Sequence, residues 1–310
     1  MKVKSFLVYC FIALGGLCMP VFAHSEGNFV HNDIMQNLES GDKIALLMVH
    51  FGTTHEDTRA LTIDAINQKA KEQFPQMEIR EAYTSRIIMR ILNKRGVRKL
   101  NPVEVLAQLK AEGYTHVVVQ STNIIDGIEM ESLRKDIAQM KPLFKEIRLG
   151  MPLLYTPEDY KQVIDCLAEK GQEKTFTILV GHGTYTPATA QYAMLDYMLQ
   201  AEGYADFAVG TVEGYPTFDN AISKAQTKKK IKQVQLIPFM FVAGDHAKND
   251  IAGDMKEVLE KKGYKVSVHM EGLGENPAIQ QIYIDHINFI IKHKQIDIVD
   301  KKKGYANSKD

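Results

Sequence analysis

The chain has 310 residues, of which 45% are hydrophobic and 25% charged, the balance of a globular protein able to bury a substantial core. Lys+Arg and Asp+Glu number 38 each, so the net charge is zero. That excludes the basic excess of a nucleic-acid binder and the polybasic surface of a membrane-associated protein. The short basic runs at Lys228–Lys230 and Lys301–Lys303 read as solvated surface.

In chain order, the N-terminus reads as a targeting segment. Lys2 and Lys4 precede an apolar stretch from Phe6 to about Met19, and Val21-Phe-Ala23 supplies a small-residue cleavage site. Residues 1–23 are therefore expected to be a cleavable secretory signal, placing the chain in the periplasm or otherwise outside the cytoplasm. An uncleaved anchor and a lipoprotein signal at Cys18 are the rival readings; Leu17 fits a lipidation site poorly. The apolar stretch is short and interrupted by Gly15-Gly16, so no stable membrane span is expected after cleavage. Cys10 and Cys18 leave with the signal. Cys166 remains alone, in the apolar register of a helical segment, and no internal disulfide is expected.

Residues 24–42 read as a polar leader. From Lys43 the chain alternates between strand-like and helix-like segments. Strands are expected at Ile44–Val49, Ile79–Tyr83, Thr115–Gln120 and Ile147–Leu154. Helices are expected from about Glu56 to Phe74, from the Asn101-Pro-Val-Glu104 start to Gly113, from Glu129 to Met140, and from the Thr156-Pro-Glu-Asp159 start to Gly171. The alternation then restarts. Strands are expected at Phe176–Gly181, Phe207–Val212, Val234–Phe241 and Val266–Met270. The matching helices are about Thr186–Ala201, Thr217–Lys224, Asp250–Lys262 and Pro277–Lys292. Residues 296–310 read as a charged, disordered tail.

Repeated strand–helix units with short loops imply an α/β fold of two similar lobes, 43–155 and 172–295, each a parallel sheet flanked by helices. The lobe openings resemble each other: Met48-Val-His-Phe-Gly-Thr53 against Leu179-Val-Gly-His-Gly-Thr184. In such folds ligands bind beyond the carboxyl ends of the strands, where His50, His182, Glu213 and His246 all fall.

His182 lies between two glycines, and His246 between Asp245 and Asn249-Asp250, which could orient its ring. Together with Glu213 they suggest a two-histidine, one-carboxylate centre for a divalent metal with open positions. His24, His31, His116, His269, His286 and His293 lack such context and read as structural. Sequence-local metal motifs, the phosphate-cradling glycine loop and the serine-hydrolase elbow do not occur. The glycine-rich Gly272-Leu-Gly-Glu275 reads either as a tight turn or as a cleft wall.

Several stretches taken together resemble the anaerobic-type cobaltochelatases of cobalamin synthesis, the CbiK type of class II tetrapyrrole chelatase. They are Val49-His-Phe-Gly-Thr-Thr-His-Glu-Asp-Thr58, Ala82-Tyr-Thr-Ser85, Gln120-Ser-Thr-Asn-Ile-Ile-Asp-Gly127, Gly181-His-Gly183, Val212-Glu-Gly-Tyr-Pro216, Val242-Ala-Gly-Asp-His-Ala-Lys-Asn-Asp250 and Gly272-Leu-Gly-Glu-Asn-Pro-Ala278. The resemblance covers roughly Lys43 to Lys292. It implies a tetrapyrrole cleft between the lobes and ATP-independent insertion of Co2+, with Fe2+ or Ni2+ as other metals, into sirohydrochlorin. The metal is then a substrate, and no organic cofactor is implied. His182, Glu213 and His246 match the family's metal site. His182 is expected to serve as both ligand and proton acceptor, with Glu213 as its catalytic partner. The ring carries eight carboxylates, for which Thr84, Ser85, Arg86 and Lys248 are the candidate binding groups.

This chain departs from the family where it has Asn123 in place of a common histidine, Thr184-Tyr-Thr-Pro187 where relatives can carry further histidines, and Gly214 where serine is common. These changes spare the three expected ligands but put haem binding in doubt. Export also sits awkwardly with cytoplasmic cobalamin synthesis. Two other functions therefore stand beside the first: a periplasmic haem or iron-tetrapyrrole chelatase serving uptake, and a tetrapyrrole- or metal-binding protein that has lost catalysis. Retention of both histidines and the glutamate favours chemistry. A homo-oligomer is compatible with the sequence.

Overall fold

Two parallel four-stranded sheets frame this computed structural model, which describes residues 28–307. The expected signal and its cleavage point lie outside the described residues. In the first sheet β1 (Ile44–His50), β2 (Glu78–Tyr83), β3 (His116–Ser121) and β4 (Glu146–Leu149) lie in the order β2-β1-β3-β4. In the second, β5 (Thr175–Gly181), β6 (Phe207–Thr211), β7 (Gln233–Phe239) and β8 (Lys265–Val268) lie in the order β6-β5-β7-β8. The two orders are the same, so the match between the lobe openings extends to topology.

Each sheet grows outward from its first strand in both directions. The order reverses between β1 and β3, and again between β5 and β7, and these reversals open crevices at the carboxyl ends of the strands. β1 and β5 are buried along their whole length, as central parallel strands covered on both faces must be. Leu47, Val49, Val117 and Val119 pack beneath Leu106, Leu109, Met130 and Leu133. Phe176, Ile178, Val180 and Leu236 pack beneath Ile222, Ala225 and Leu259. Each such side chain removed from water contributes about 1.5–3 kcal/mol.

The helices begin where the sequence marks them. A continuous helix runs through Glu56–Arg59, a π-helical stretch Ala60–Asp64, and α1 (Ala65–Gln73). Then come α2 (Arg86–Lys94), α3 (Pro102–Ala111), α4 (Ile128–Met140) and α5 (Pro157–Ala168). Asn101 and Thr156 both close capping boxes, with Glu104 and Asp159. The second series has α6 (Ala190–Ala201), α7 (Phe218–Thr227), α8 (Lys256–Lys261) and α9 (Pro277–Lys292). Helix α2 was not expected; its start is the Ser85 cap, whose Oγ accepts the Ile88 N–H at 3.4 Å. The helix before α8 begins at Ala247 rather than Asp250, in a π-helical stretch Ala247–Met255. The strand expected to reach Leu154 ends at Leu149. Leu153 and Leu154 still donate to Asn123 O and Ile124 O, both at 2.9 Å, which accounts for their strand-like pattern.

Helix α9 ends the second series but packs on β3, β4 and α5. Buried Arg148 on β4 ties it down. Its Nη1 donates to Ile290 O and Ile291 O, both at 2.9 Å, and to Asn32 O at 2.6 Å. The cation thereby satisfies carbonyls at the helix C-terminus, where positive charge is favoured. Burial alone would raise the Glu146 carboxyl, but Arg148 and Lys294 outweigh it and hold the group below its ordinary value.

Residues 31–295 form one compact unit containing both sheets. The described residues outside it, 28–30 and 296–307, belong to a small second unit. There the expectation of a disordered tail fails, because Ile298–Asn307 is helical. The Asp297 carboxylate accepts the Val299 N–H at 2.7 Å, and Asp300 pairs with Lys303 at 3.0 Å, so the charged residues supply a cap and an ion pair. Among the described residues no helix is long and apolar enough to cross a membrane.

Candidate functional site

The carboxyl ends of β1, β3, β5 and β7 converge on a cavity of about 530 Å³. Its apolar walls come from both lobes, with Phe51, Ile87, Ile124 and Ile128 on one side and Met240, Phe241 and Val242 on the other. His182, Glu213 and His246 all line it.

Backbone geometry places the first two. Beyond the ends of β5 and β6 the parallel pairing continues, with Val212 N–H donating to Gly181 O and Glu213 N–H to His182 O, both at 3.0 Å. Gly183, at φ +87°, permits this approach: a Cβ there would stand 1.6 Å from the Glu213 carbonyl oxygen. Gly214, at φ +86°, meets the same restriction, since its Cβ would lie 2.5 Å from Thr184 O. The serine common at that position therefore does not fit this backbone. As a result the Glu213 carboxylate stands 3.7 Å from His182 Nδ1.

His246 arrives from β7, at the head of the π-helical stretch. Its ring meets that of His182 edge to face, with centroids 4.7 Å apart. The Asp250 carboxylate accepts the His246 Nδ1 proton at 2.6 Å. The Gly183 carbonyl lies 3.1 Å from His182 Nδ1 and accepts from it. A carboxylate and a carbonyl can only accept, so both rings are assigned the Nδ1–H tautomer, which leaves the two Nε2 lone pairs free. Among the described residues no three His, Cys, Asp or Glu side chains are placed to hold a metal ion together, and Glu213 stands on the Nδ1 side of His182, so its carboxylate must swing to join the two Nε2 atoms on one cation. What the cleft offers is two imidazole nitrogens and an adjacent carboxylate, a set suited to Co2+, Fe2+ or Ni2+.

Of the residues suggested as orienters of His246, Asp250 does bond its ring, whereas Asp245 turns to His55 Nε2 at 2.7 Å. Ser85 lines the cavity while capping α2. Thr84 donates its backbone N–H to His50 O, and its hydroxyl is buried without a partner. Arg86 is exposed at the start of α2, beyond the cavity lining. Lys248 Nζ lies 3.2 Å from His55 Nδ1. Among the described residues that line the cavity there is no Lys or Arg.

His50 also lines the cleft, at 1% exposure, between Thr122 Oγ1 and Asn67 Oδ1, each 3.0 Å away. Burial pushes its pKa down, ahead of an opposing pull from Glu81, and the ring is neutral. Asn123 lines the cavity with its amide nitrogen unpaired. Tyr192 and Phe241 are lining residues that sequence reasoning missed. Burial pushes the Tyr192 hydroxyl up to about 12, against a small opposing effect of the Gly183 backbone. Their only sequence signal was membership of apolar runs. The remaining histidines are structural where described: His116 Nδ1 bonds Thr115 Oγ1 at 2.9 Å and His286 Nε2 bonds Asp159 at 3.0 Å. Cys166 is half-buried on α5, and burial raises its thiol pKa.

Residues 44–292 match the family described as cobalt chelatase (CbiK). The sirohydrochlorin cobaltochelatase of Salmonella typhimurium is 36% identical over 254 residues, covering 79% of this chain and 96% of that protein. The sirohydrochlorin cobaltochelatase CbiKC of Nitratidesulfovibrio vulgaris is 28% identical over 255 residues, covering 79% and 89%. Among solved structures, SirB from Bacillus subtilis with Fe3+ is similar at a TM-score of 0.58 and 14% identity, covering 81% of this chain and 96% of that one. The sirohydrochlorin chelatase SirB of Bacillus subtilis subspecies spizizenii, in complex with cobalt, is similar at 0.56 and 13%, covering 81% and 95%.

Proposed function

The chain belongs to the CbiK cobalt chelatase family, and from that premise we propose that it inserts a divalent metal, Co2+ first among them, into sirohydrochlorin without ATP. It is a metal chelatase. The observation that carries the assignment of chemistry to residues is the edge-to-face pair of His182 and His246, in rings 4.7 Å apart, beside Glu213 in an apolar cleft.

Insertion exchanges one divalent cation for two pyrrole N–H protons. His182 Nε2, His246 Nε2 and the Glu213 carboxylate hold the cation while leaving positions open for ring nitrogens. The ring slides between the apolar walls and displaces water, which favours the exchange of metal–protein for metal–ring bonds. Its carboxylates remain toward the rim, because the walls carry no Lys or Arg. A lone pair cannot hold a metal and a proton together, so the two roles of His182 are sequential. As the cation passes to the ring, Nε2 is released and takes one pyrrole proton. Glu213 takes the second, then both lose their protons to water.

The assay mixes the protein with sirohydrochlorin and Co2+, Fe2+ or Ni2+ and follows the absorption spectrum. Insertion faster than the spontaneous rate is expected. Tight binding without acceleration would leave a carrier, and binding of haem or protoporphyrin in place of sirohydrochlorin would leave the uptake reading, which the named relatives do not favour. Export is proposed from Lys2, Lys4 and the apolar stretch ending at Val21-Phe-Ala23. Mature protein starting at His24 in a periplasmic extract is the expected result; retention of Met1 would contradict it.

A further inference from the structure

We propose that His55 is a positioning residue that fixes the metal-binding segment of the second lobe across the cleft. The inference rests on the reading of His246 as a metal ligand. His55 follows β1 in the first lobe, in a loop held by its own N–H to Thr53 Oγ1 at 3.2 Å and by Arg95 Nη1 to Thr54 O at 2.7 Å. Its ring reaches the second lobe at two points. Nε2 lies 2.7 Å from Asp245 Oδ1, and Nδ1 lies 3.2 Å from Lys248 Nζ.

These partners determine the state of the ring. An ammonium only donates and a carboxylate only accepts. Nδ1 therefore carries the lone pair facing Lys248, and Nε2 carries the proton given to Asp245. A neutral imidazole satisfies both at once. Asp245 immediately precedes His246 and Lys248 lies two residues beyond it, so the ring holds side chains on both sides of the ligand. The Lys248 N–H donates to Gly244 O at 3.1 Å and closes the turn between the grip points. Asp250 aims the His246 ring from the other side. Asp250 thus sets the direction of the ring, while His55 sets where its backbone stands relative to the first lobe.

Exposure indicates what the contact is for. The Asp245 side chain is 68% exposed and that of His55 28%, and pairs this open add little to stability. A contact of small stabilising value, placed on both flanks of a ligand, acts on the geometry of the site. Partners bonded directly to a metal ligand, as Asp250 is to His246, change metal affinity by about 10- to 100-fold when removed; His55 acts one contact further out, so the lower end of that range is expected.

The test titrates Co2+ into the full chain without tetrapyrrole, following the visible absorption of bound Co2+, for the parent, His55→Ala, His55→Gln and His246→Ala. Insertion kinetics and urea midpoints accompany it. His55→Ala is expected to weaken Co2+ binding about tenfold and to raise KM for the metal, with KM for the ring and the urea midpoint little changed. The glutamine amide offers both an N–H for Asp245 and an oxygen for Lys248, so His55→Gln is expected to restore most of the affinity. Parent-like Co2+ binding in His55→Ala, or a glutamine variant as weak as alanine, would overturn the proposal. In either case, loss of binding in His246→Ala leaves the ligand reading standing; parent-like binding in His246→Ala removes both.

Discussion

Replacing Gly183 with alanine adds one methyl group at the point where two strand ends are pressed together to make the site. The new Cβ would stand 1.6 Å from the Glu213 carbonyl oxygen, and relaxing this to an ordinary 3.4 Å contact requires the Glu213 backbone to retreat about 1.8 Å. A displacement of about 1 Å in a positioned group already costs on the order of 100-fold in rate. The left-handed backbone at φ +87° adds roughly 1–2 kcal/mol for a residue with a side chain. That is small against the roughly 5–15 kcal/mol that holds a typical protein folded. Moving the Glu213 main chain adds a further cost, so Gly183→Ala should have a clearly lower urea midpoint while still folding at 25 °C, and insert metal at least about 100-fold more slowly. Insertion kinetics and urea denaturation on the same preparation separate the two effects. An insertion rate within about threefold of the parent would refute the argument that the close approach of Gly183 to Glu213 builds the site.

Arg148→Met keeps the apolar stem but removes the donors to Asn32, Ile290 and Ile291, and should lower unfolding free energy by about 3–5 kcal/mol in urea titrations. A loss under about 1 kcal/mol would mean that α9 is held by its apolar face alone. His50 is held neutral by burial. Its folded pKa lies below the unfolded value near 6.5, so the unfolded state binds the extra proton first, and stability falls as pH drops below about 6.5. The slope should be up to about 1.4 kcal/mol per pH unit from this group. Urea midpoints at pH 7.5, 6.0 and 5.0 should show the decline in the parent and a shallower one in His50→Gln; equal slopes would contradict it.

The alternating series was legible because fully buried parallel strands read as continuous apolar runs, as at Ile44–His50 and Thr175–Gly181. Helix starts with a strong cap, such as Asn101 and Thr156, were equally plain. Helix α2 is hard to see in the sequence because Ser85 and Arg86 also fit the role of substrate groups. Read as Ser85 N-cap before Ile87, Ile88, Ile91 and Leu92, the segment has helical spacing with Arg86, Arg90 and Lys94 on the other side. The tail helix was obscured by its charge, although Asp297 is a capping residue. Glycine and histidine spacing brought His182, Glu213 and His246 forward as a set. The grip of His55 on Asp245 and Lys248 could not be read, because its partners lie 190 and 193 residues away and no local pattern encodes a contact across the cleft.

If the cleft inserts metal through Nε2 of His182, removing that ring must abolish catalysis. Co2+ insertion into sirohydrochlorin is measured for the parent and for His182→Ala under the same conditions. Catalysed insertion is expected in the parent and a fall of at least about 100-fold toward the spontaneous rate in the variant, with an unchanged urea midpoint. Turnover by His182→Ala close to that of the parent would contradict it.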